Sequence, residues 1–169
     1  MISRVKRYFL EIKNFSNPVE LNIPENYKII LDDKKNFELN KFFYKQIGKK
    51  YQWVDRLVWS DSTWQKYTAN KNLKTYVLKE NDNLIGYFEL IYNNEAFDCE
   101  IAYFGILEEF FSKGYGGYLL SEAIKLGFHS DVKRVWVHTC SLDHPNAILN
   151  YKSRGMQVFK NEILKRQAI

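Results

Sequence analysis

Between Asp98 and Gly117 the chain reads DCEIAYFGILEEFFSKGYGG. It places one carboxylate, Glu100, in an apolar strand-like run, follows it with an acidic and aromatic loop, and ends in a glycine-rich turn opening an amphipathic segment. Such a turn offers several main-chain N–H groups and the positive end of a helix dipole to whatever lies in front of it. It suits an anion such as the phosphates of a cofactor. The residues flanking Glu100 are apolar, so desolvation should raise its pKa toward a value useful for proton transfer. Glu89, in the neighbouring strand-like run, is a second candidate that could act through a water. Each feature also has a purely structural reading. The turn fits a tight strand-to-helix connection in any α/β protein, and Glu100 fits a buried ion pair with Arg56 or Arg134.

The elements that must position these residues follow from periodicity. LKTYVLKE, LIGYFELIY and FDCEIAYFGIL, parted by Asn81-Asp82-Asn83 and Asn93-Asn94-Glu95, predict an antiparallel meander of three strands. A helix over Gly116 to Phe128 sets Leu120, Ala123, Ile124, Gly127 and Phe128 on one side, with Ser121, Glu122 and Lys125 opposite. RVWVHT is predicted as a strand parallel to the one before that helix, joined by a right-handed crossover. Pro145 to Arg154 predicts a last helix with Gly155 past its end, and MQVFKNEIL a last strand. Nearer the start, Arg7 to Lys13 reads as a strand interrupted after by Asn17-Pro18, and Tyr27 to Leu31 is a second apolar run. Lys35 to Ile47 reads as a helix stopped by Gly48. Ser60 or Asp61 is placed to cap a short helix from about Ser62 to Ala69.

Composition bounds the function. The 169 residues are 46% hydrophobic, enough for one domain with a full core. The formal charge is +5, but acids are interspersed with bases and no run of five like charges occurs, which argues against nucleic acid as a partner. The first residues lack the apolar core of a signal peptide and no stretch approaches the length of a membrane span. A cytoplasmic protein without membrane association, monomer or homodimer, is expected. Two cysteines, Cys99 and Cys140, build neither a disulfide framework nor a zinc site, so no metal is expected.

EIAYFGILEEFFSKGYGGYLLSEAI followed by VHTCSLDHPNAILNYKSRGM resembles the acyl-CoA and catalytic core of the GNAT superfamily of N-acetyltransferases, with wording similar to a bacterial subgroup. The resemblance covers roughly Leu73 to the end. It implies an α/β fold of α+β mixed type: a central, mostly antiparallel twisted sheet with one parallel splayed pair and flanking helices. Residues 1–72 would be a variable acceptor-side region and 73–169 the cofactor-binding and catalytic core of a single domain. The implied co-substrate is acetyl-CoA. Its pyrophosphate would lie on Phe111, Ser112, Lys113, Gly114, Tyr115, Gly116 and Gly117, with Phe111 where the family carries Gln or Arg. Main-chain N–H groups, which Phe retains, do most of the binding in such turns. Gly105 would let the strand bulge away from its parallel neighbour, so that the pantetheine arm bonds main-chain groups of Phe104, Gly105 and Ile106.

Roles follow from the same resemblance. An amine with the pKa of lysine, about 10.4, must lose a proton before it attacks a thioester. Glu100 matches the general base of the histone-acetylating branch, with Glu89 as the alternative. Tyr151 matches the general acid near the CoA sulfur, although spacing alone makes it a core aromatic. A main-chain N–H near Ile106 would hold the oxyanion, and Asn146 would bond the pantetheine or its waters. His138 and Cys140 share a strand face, but direct transfer needs no protein nucleophile, and Asp143 or His144 suits a helix cap. Trp53, Asp55, Arg56 and Trp59, with Trp64, are expected to wall the pocket of a small-molecule amine or a peptide or protein amine; packing of helices onto the sheet would explain them equally. The alternative function is an acyl-CoA-binding sensor or scaffold with little catalysis.

Overall fold

The computed structural model describes residues 2–15, 25–129 and 131–167. Alternating apolar residues build seven strands: β1 (Ile2–Ile12), β2 (Tyr27–Leu31), β3 (Leu73–Glu80), β4 (Asn83–Asn93), β5 (Asp98–Ile106), β6 (Arg134–Cys140) and β7 (Gln157–Gln167). They form one sheet in the order β2-β3-β4-β5-β6-β1-β7. Every neighbouring pair is antiparallel except β5 and β6, which are parallel. The mixed sheet with one parallel pair is thus the expected one, and β3 to β5 are the expected meander. The interruption at Asn17-Pro18 lies outside the described residues.

The position of β1 was not expected. It starts at Ile2 rather than Arg7 and lies between β6 and β7, antiparallel to both. The boundary drawn at residue 72 is therefore crossed by the first strand of the chain, which belongs to the same half of the sheet as β6. Val5 and Leu10 are buried at 1% and 0% exposure, so β1 is core and not trim.

Helices cover the two faces. α1 (Phe37–Tyr51) and α2 (Asp61–Thr68) lie on one, and α3 (Tyr115–Gly127) and α4 (Ala147–Ser153) on the other. Leu119, Leu120, Ala123 and Ile124 of α3 pack on Leu78, Phe88, Leu90, Ile101, Val135 and Val137 of the sheet. On the opposite face Phe43 and Ile47 of α1 meet Val77, Tyr87 and Leu107, with the Phe43 and Tyr87 rings stacked 4.7 Å apart. Burial of one such side chain contributes about 1.5–3 kcal/mol. Asn36 caps α1 by accepting from the Glu38 N–H at 3.1 Å, and Ser60 caps α2 by accepting from the Thr63 N–H at 3.2 Å.

Three local expectations are corrected. Gly48 does not stop α1 but lies inside it, where a Cβ would fall 2.5 Å from Cβ of Trp53; the left-handed residue that ends the helix is Gln52, φ 55°. Ser121 lies on the buried side of α3 at 0% exposure, because the apolar face is wide enough to enclose a small hydroxyl. The last helix begins at Ala147, with Pro145 and Asn146 in the turn before it.

Candidate active site

Parallel pairing of β5 with β6 runs only from Asp98↔Arg134 to Ile101↔Val137. Beyond it β5 continues to Ile106 beside β4 alone, so the edge it turns toward β6 is unpaired. The cause is a bulge. Glu89 of β4 opposes Tyr103 while Leu90 opposes Ile101, leaving Ala102 as the extra residue. The bulge was expected at Gly105 and is corrected to Ala102. Gly105 serves a close approach instead: a Cβ there would fall 2.8 Å from Cγ2 of Ile47 on α1. The extra residue also resets the side-chain alternation, bringing Tyr103 to the α1 side, where its ring lies 4.9 Å from that of Trp53.

The gap between the parted strands opens into a cavity of about 440 Å³. Its walls include Ile101 to Ile106 of β5, Val137, His138 and Cys140 of β6, Tyr151 of α4, and the turn before α3. That turn contains left-handed Ser112 (φ 62°) and Gly114 (φ 83°). Gly114 precedes α3 with no side-chain cap, so the first-turn N–H groups of a 13-residue helix face the cavity end without an intrahelical partner. From α4, Asn150 donates to the Gly116 carbonyl at 3.2 Å and ties the turn down. Unpaired strand amides at one end and uncapped helix amides at the other fit a long ligand with peptide-like bonds and an anionic head, as acetyl-CoA has.

Of the residues expected to hold the cofactor, Phe104, Gly105, Ile106, Phe111, Ser112, Gly114, Tyr115, Gly116, Gly117, Asn146 and Tyr151 line the cavity and Lys113 does not. Lys113 instead places its ammonium 5.6 Å from the Phe110 ring centroid. Phe111 packs edge-on against His144, centroids 5.6 Å apart. Tyr151 is 6% exposed, and burial raises its pKa, which keeps the phenol protonated.

The two carboxylates lie outside the lining. Glu89 is fully buried and accepts from Arg56 Nη1 at both oxygens (3.2 and 3.1 Å), from Asn40 Nδ2 (2.8 Å) and from Tyr67 Oη (2.6 Å). These four hydrogen bonds, from three donor groups, occupy the roughly four lone-pair directions of a carboxylate. Glu100, opposite Trp136 in the β5–β6 register, makes no side-chain hydrogen bond or ion pair among the described residues. Burial raises its pKa, with Arg56 pulling the other way. Neither proposed structural partner takes it: Arg56 pairs with Glu89, and Arg134 with Glu11 and Asp98.

The aromatic cluster divides. Trp53 and Asp55 line the cavity, whereas Arg56 and Trp59 do not. Arg56, 7% exposed, lies within 4.2 Å of the Tyr67 and Tyr103 ring centroids and 4.8 Å of that of Trp59. It fastens the segment between α1 and α2 onto β4. Trp53 donates from Nε1 to Asp143 Oδ1 at 3.2 Å. Asp143 also accepts from Thr139 Oγ1 and the Cys140 N–H, so it closes the β6 end and does not cap α4. The α4 turn is held by His144 Nδ1, which accepts from the Asn146 N–H at 3.0 Å.

Sequence reading missed Arg7 and Arg166 in the cavity wall. They arrive on β1 and β7, and no local pattern announces that those strands run side by side. Among the described residues no group of three or more His, Cys, Asp or Glu gathers to hold a metal, and no helix is long and apolar enough to cross a membrane.

A mixed sheet with one splayed parallel pair, a cleft at the splay and an amide-rich turn at its end is the architecture of an acyltransferase fold. The chain belongs to the acetyltransferase (GNAT) family, whose model matches residues 36–156. No curated protein sequence matches it. Similar solved structures include a GCN5-related N-acetyltransferase from Sphaerobacter thermophilus, 16% identical with a TM-score of 0.64, covering 96% of this chain and 51% of that one. A tandem GNAT protein from the clavulanic acid biosynthesis pathway is 10% identical with a TM-score of 0.66, covering 95% and 52%. An aminoglycoside acetyltransferase from an uncultured soil metagenomic sample, in complex with sisomicin, is 13% identical with a TM-score of 0.61, covering 77% and 88%. The chain spans 51% and 52% of the lengths of the first two of these structures.

Proposed function

We propose that the chain transfers an acetyl group from acetyl-CoA to a primary amine by direct attack in a ternary complex. The observation that carries this reading is the unpaired edge of β5 from Ala102 to Ile106, facing a cavity that runs on to the uncapped start of α3. Main-chain groups of Phe104, Gly105 and Ile106 would bond the pantetheine amides, with Asn146 beside them. The N–H groups from Ser112 to Gly117 would bond the pyrophosphate. A main-chain N–H near Ile106 would hold the carbonyl oxygen as negative charge develops. Tyr151, kept protonated by burial, would donate to the departing sulfur.

The acceptor would enter from the side walled by Trp53 and Asp55. An aromatic wall with a carboxylate favours a cationic amine, on a small molecule or on a peptide or protein. The sisomicin complex of a protein with the same fold supports the small-molecule class.

The test is release of free thiol from acetyl-CoA by the purified protein over a panel of amines. Amine-dependent release is expected, with Tyr151→Phe lowering kcat by about 100-fold or more while acetyl-CoA still raises the melting temperature. Stabilisation by acetyl-CoA without release on any amine would instead identify a sensor or scaffold.

A further inference from the structure

We infer that His138 is the group that takes the proton from the acceptor amine, an assignment that rests on the acetyl-transfer reading above. The argument is one of position. Pairing between β5 and β6 ends at Ile101↔Val137, and His138 is the next residue on β6. Opposite it, past the last pair, stands Ala102, the residue that the β4–β5 ladder skips. The apex of the splay therefore has a bulged main chain on one side and an imidazole on the other. Val135 and Val137 pack into the core beneath α3, so His138 by alternation projects to the opposite face, the side from which the acceptor enters.

The side chain is available for the role. It lines the cavity, and neither ring nitrogen is hydrogen-bonded among the described residues or sealed from solvent. Phe9 of β1 holds the ring from one side, centroids 5.8 Å apart. The other proton acceptors nearby are less suited. Glu89 has its lone pairs taken, Glu100 lies outside the lining, and Asp143 already accepts from Trp53, Thr139 and Cys140. Asp55 sits opposite Arg166 at 3.7 Å, and the Cys140 thiol is held protonated by burial and by Asp143.

The charged groups around His138 are Arg7 of β1, Asp143 after β6, Asp55 between α1 and α2, and Glu162 of β7. Burial first, and then Arg7, lower its pKa against the opposing pull of the acids. The imidazole is neutral near pH 7 and accepts one proton of the substrate ammonium, which it passes to solvent. The freed nitrogen lone pair forms the C–N bond to the thioester carbonyl, and collapse breaks the C–S bond. The thiolate takes the hydroxyl proton of Tyr151, and the second proton lost by nitrogen restores that hydroxyl. The products are amide, CoA thiol and one proton in solution.

The test uses His138→Gln and His138→Asn in the full chain, with folding checked by thermal melting and acetyl-CoA binding measured by calorimetry. On the amine that the unaltered protein acetylates best, kcat/KM at pH 7 is expected to fall about 100-fold or more in both variants. Acetyl-CoA affinity should stay within about threefold, and the loss should shrink toward pH 9 as free amine becomes available. The acidic limb of the kcat/KM profile below pH 7, which the imidazole sets, should vanish and leave only the rise that follows the free amine toward pH 9. A limb below pH 7 that survives in both variants, or one that vanishes in Glu100→Gln instead, overturns the assignment while leaving acetyl transfer intact. A second readout needs no turnover: the His138 ring resonances should move on adding acetyl-CoA and move less with CoA, and unmoved resonances overturn the assignment. Absence of amine-dependent thiol release from the unaltered protein overturns acetyl transfer and the proton-acceptor role with it.

Discussion

Glu89 and Glu100 look alike in the sequence, two carboxylates in adjacent apolar strands, and the structure gives them opposite surroundings. Glu89 anchors Arg56, and a buried ion pair broken from one side leaves an uncompensated charge. Glu89→Ala should therefore destabilise the fold by about 3–5 kcal/mol, read as a lower denaturant midpoint with the slope unchanged. Glu100 has no such partner, and its pKa is raised by burial. A carboxyl whose folded pKa is raised stabilises fully below its unfolded pKa, and that contribution is lost as pH rises through the folded value. At pH 7 its charge is thus a liability, so Glu100→Gln should raise the melting temperature at pH 7 and cease to do so below about pH 4, where the carboxyl is already neutral in both states. An equal shift at both pH values would contradict the raised pKa. Which carboxylate has a partner was not legible, because Arg56 is 33 residues from Glu89 and reaches it only through the packing of α1 and α2.

At the scale of elements, local chemistry was the readable part. The meander, the capped start of α2 and the glycine turn before α3 follow from turn formers, a capping serine and amphipathic spacing, all of which act over a few residues. The site of the bulge was not readable, because Gly105 marks helix contact. That contact makes its own prediction. In Gly105→Ala the added methyl would fall 2.8 and 2.9 Å from Ile47 atoms, forcing α1 outward at a cost of about 1–3 kcal/mol. Combining it with Ile47→Val, which removes a methylene facing the new methyl, should recover part of that loss, so the double-mutant cycle should show a coupling of about 0.5 kcal/mol or more. Additive effects would mean that the two residues do not touch. The displaced helix also carries Tyr51 of the cavity wall, so acetyl-CoA-dependent stabilisation should weaken in the single variant and return in the double.

For the whole molecule, the consequential fact is that the chain's beginning completes the sheet at its end. β1 separates β6 from β7 and brings Arg7 to the cavity and Phe9 to His138. The sequence shows a strand at the start but no partner for it, since pairing across more than 100 residues leaves no local trace and only tertiary packing selects it. The cofactor core beginning at Leu73 leaves out β1, the strand that pairs with β6. Leu10 tests whether the β6 half depends on that strand. It is fully buried, packs with Ile12, Val135 and Val137 in the core under α3, and pairs with Val137 beside the apex of the splay. Leu10→Ala should cost about 2–5 kcal/mol in global stability. If β1 is integral to the sheet, amide protons of β6 and β7 should lose protection together with those of β3 and β4, in one cooperative transition. Early loss confined to β1, with β6 still protected, would show instead that the first strand is an accessory to a sheet that stands without it.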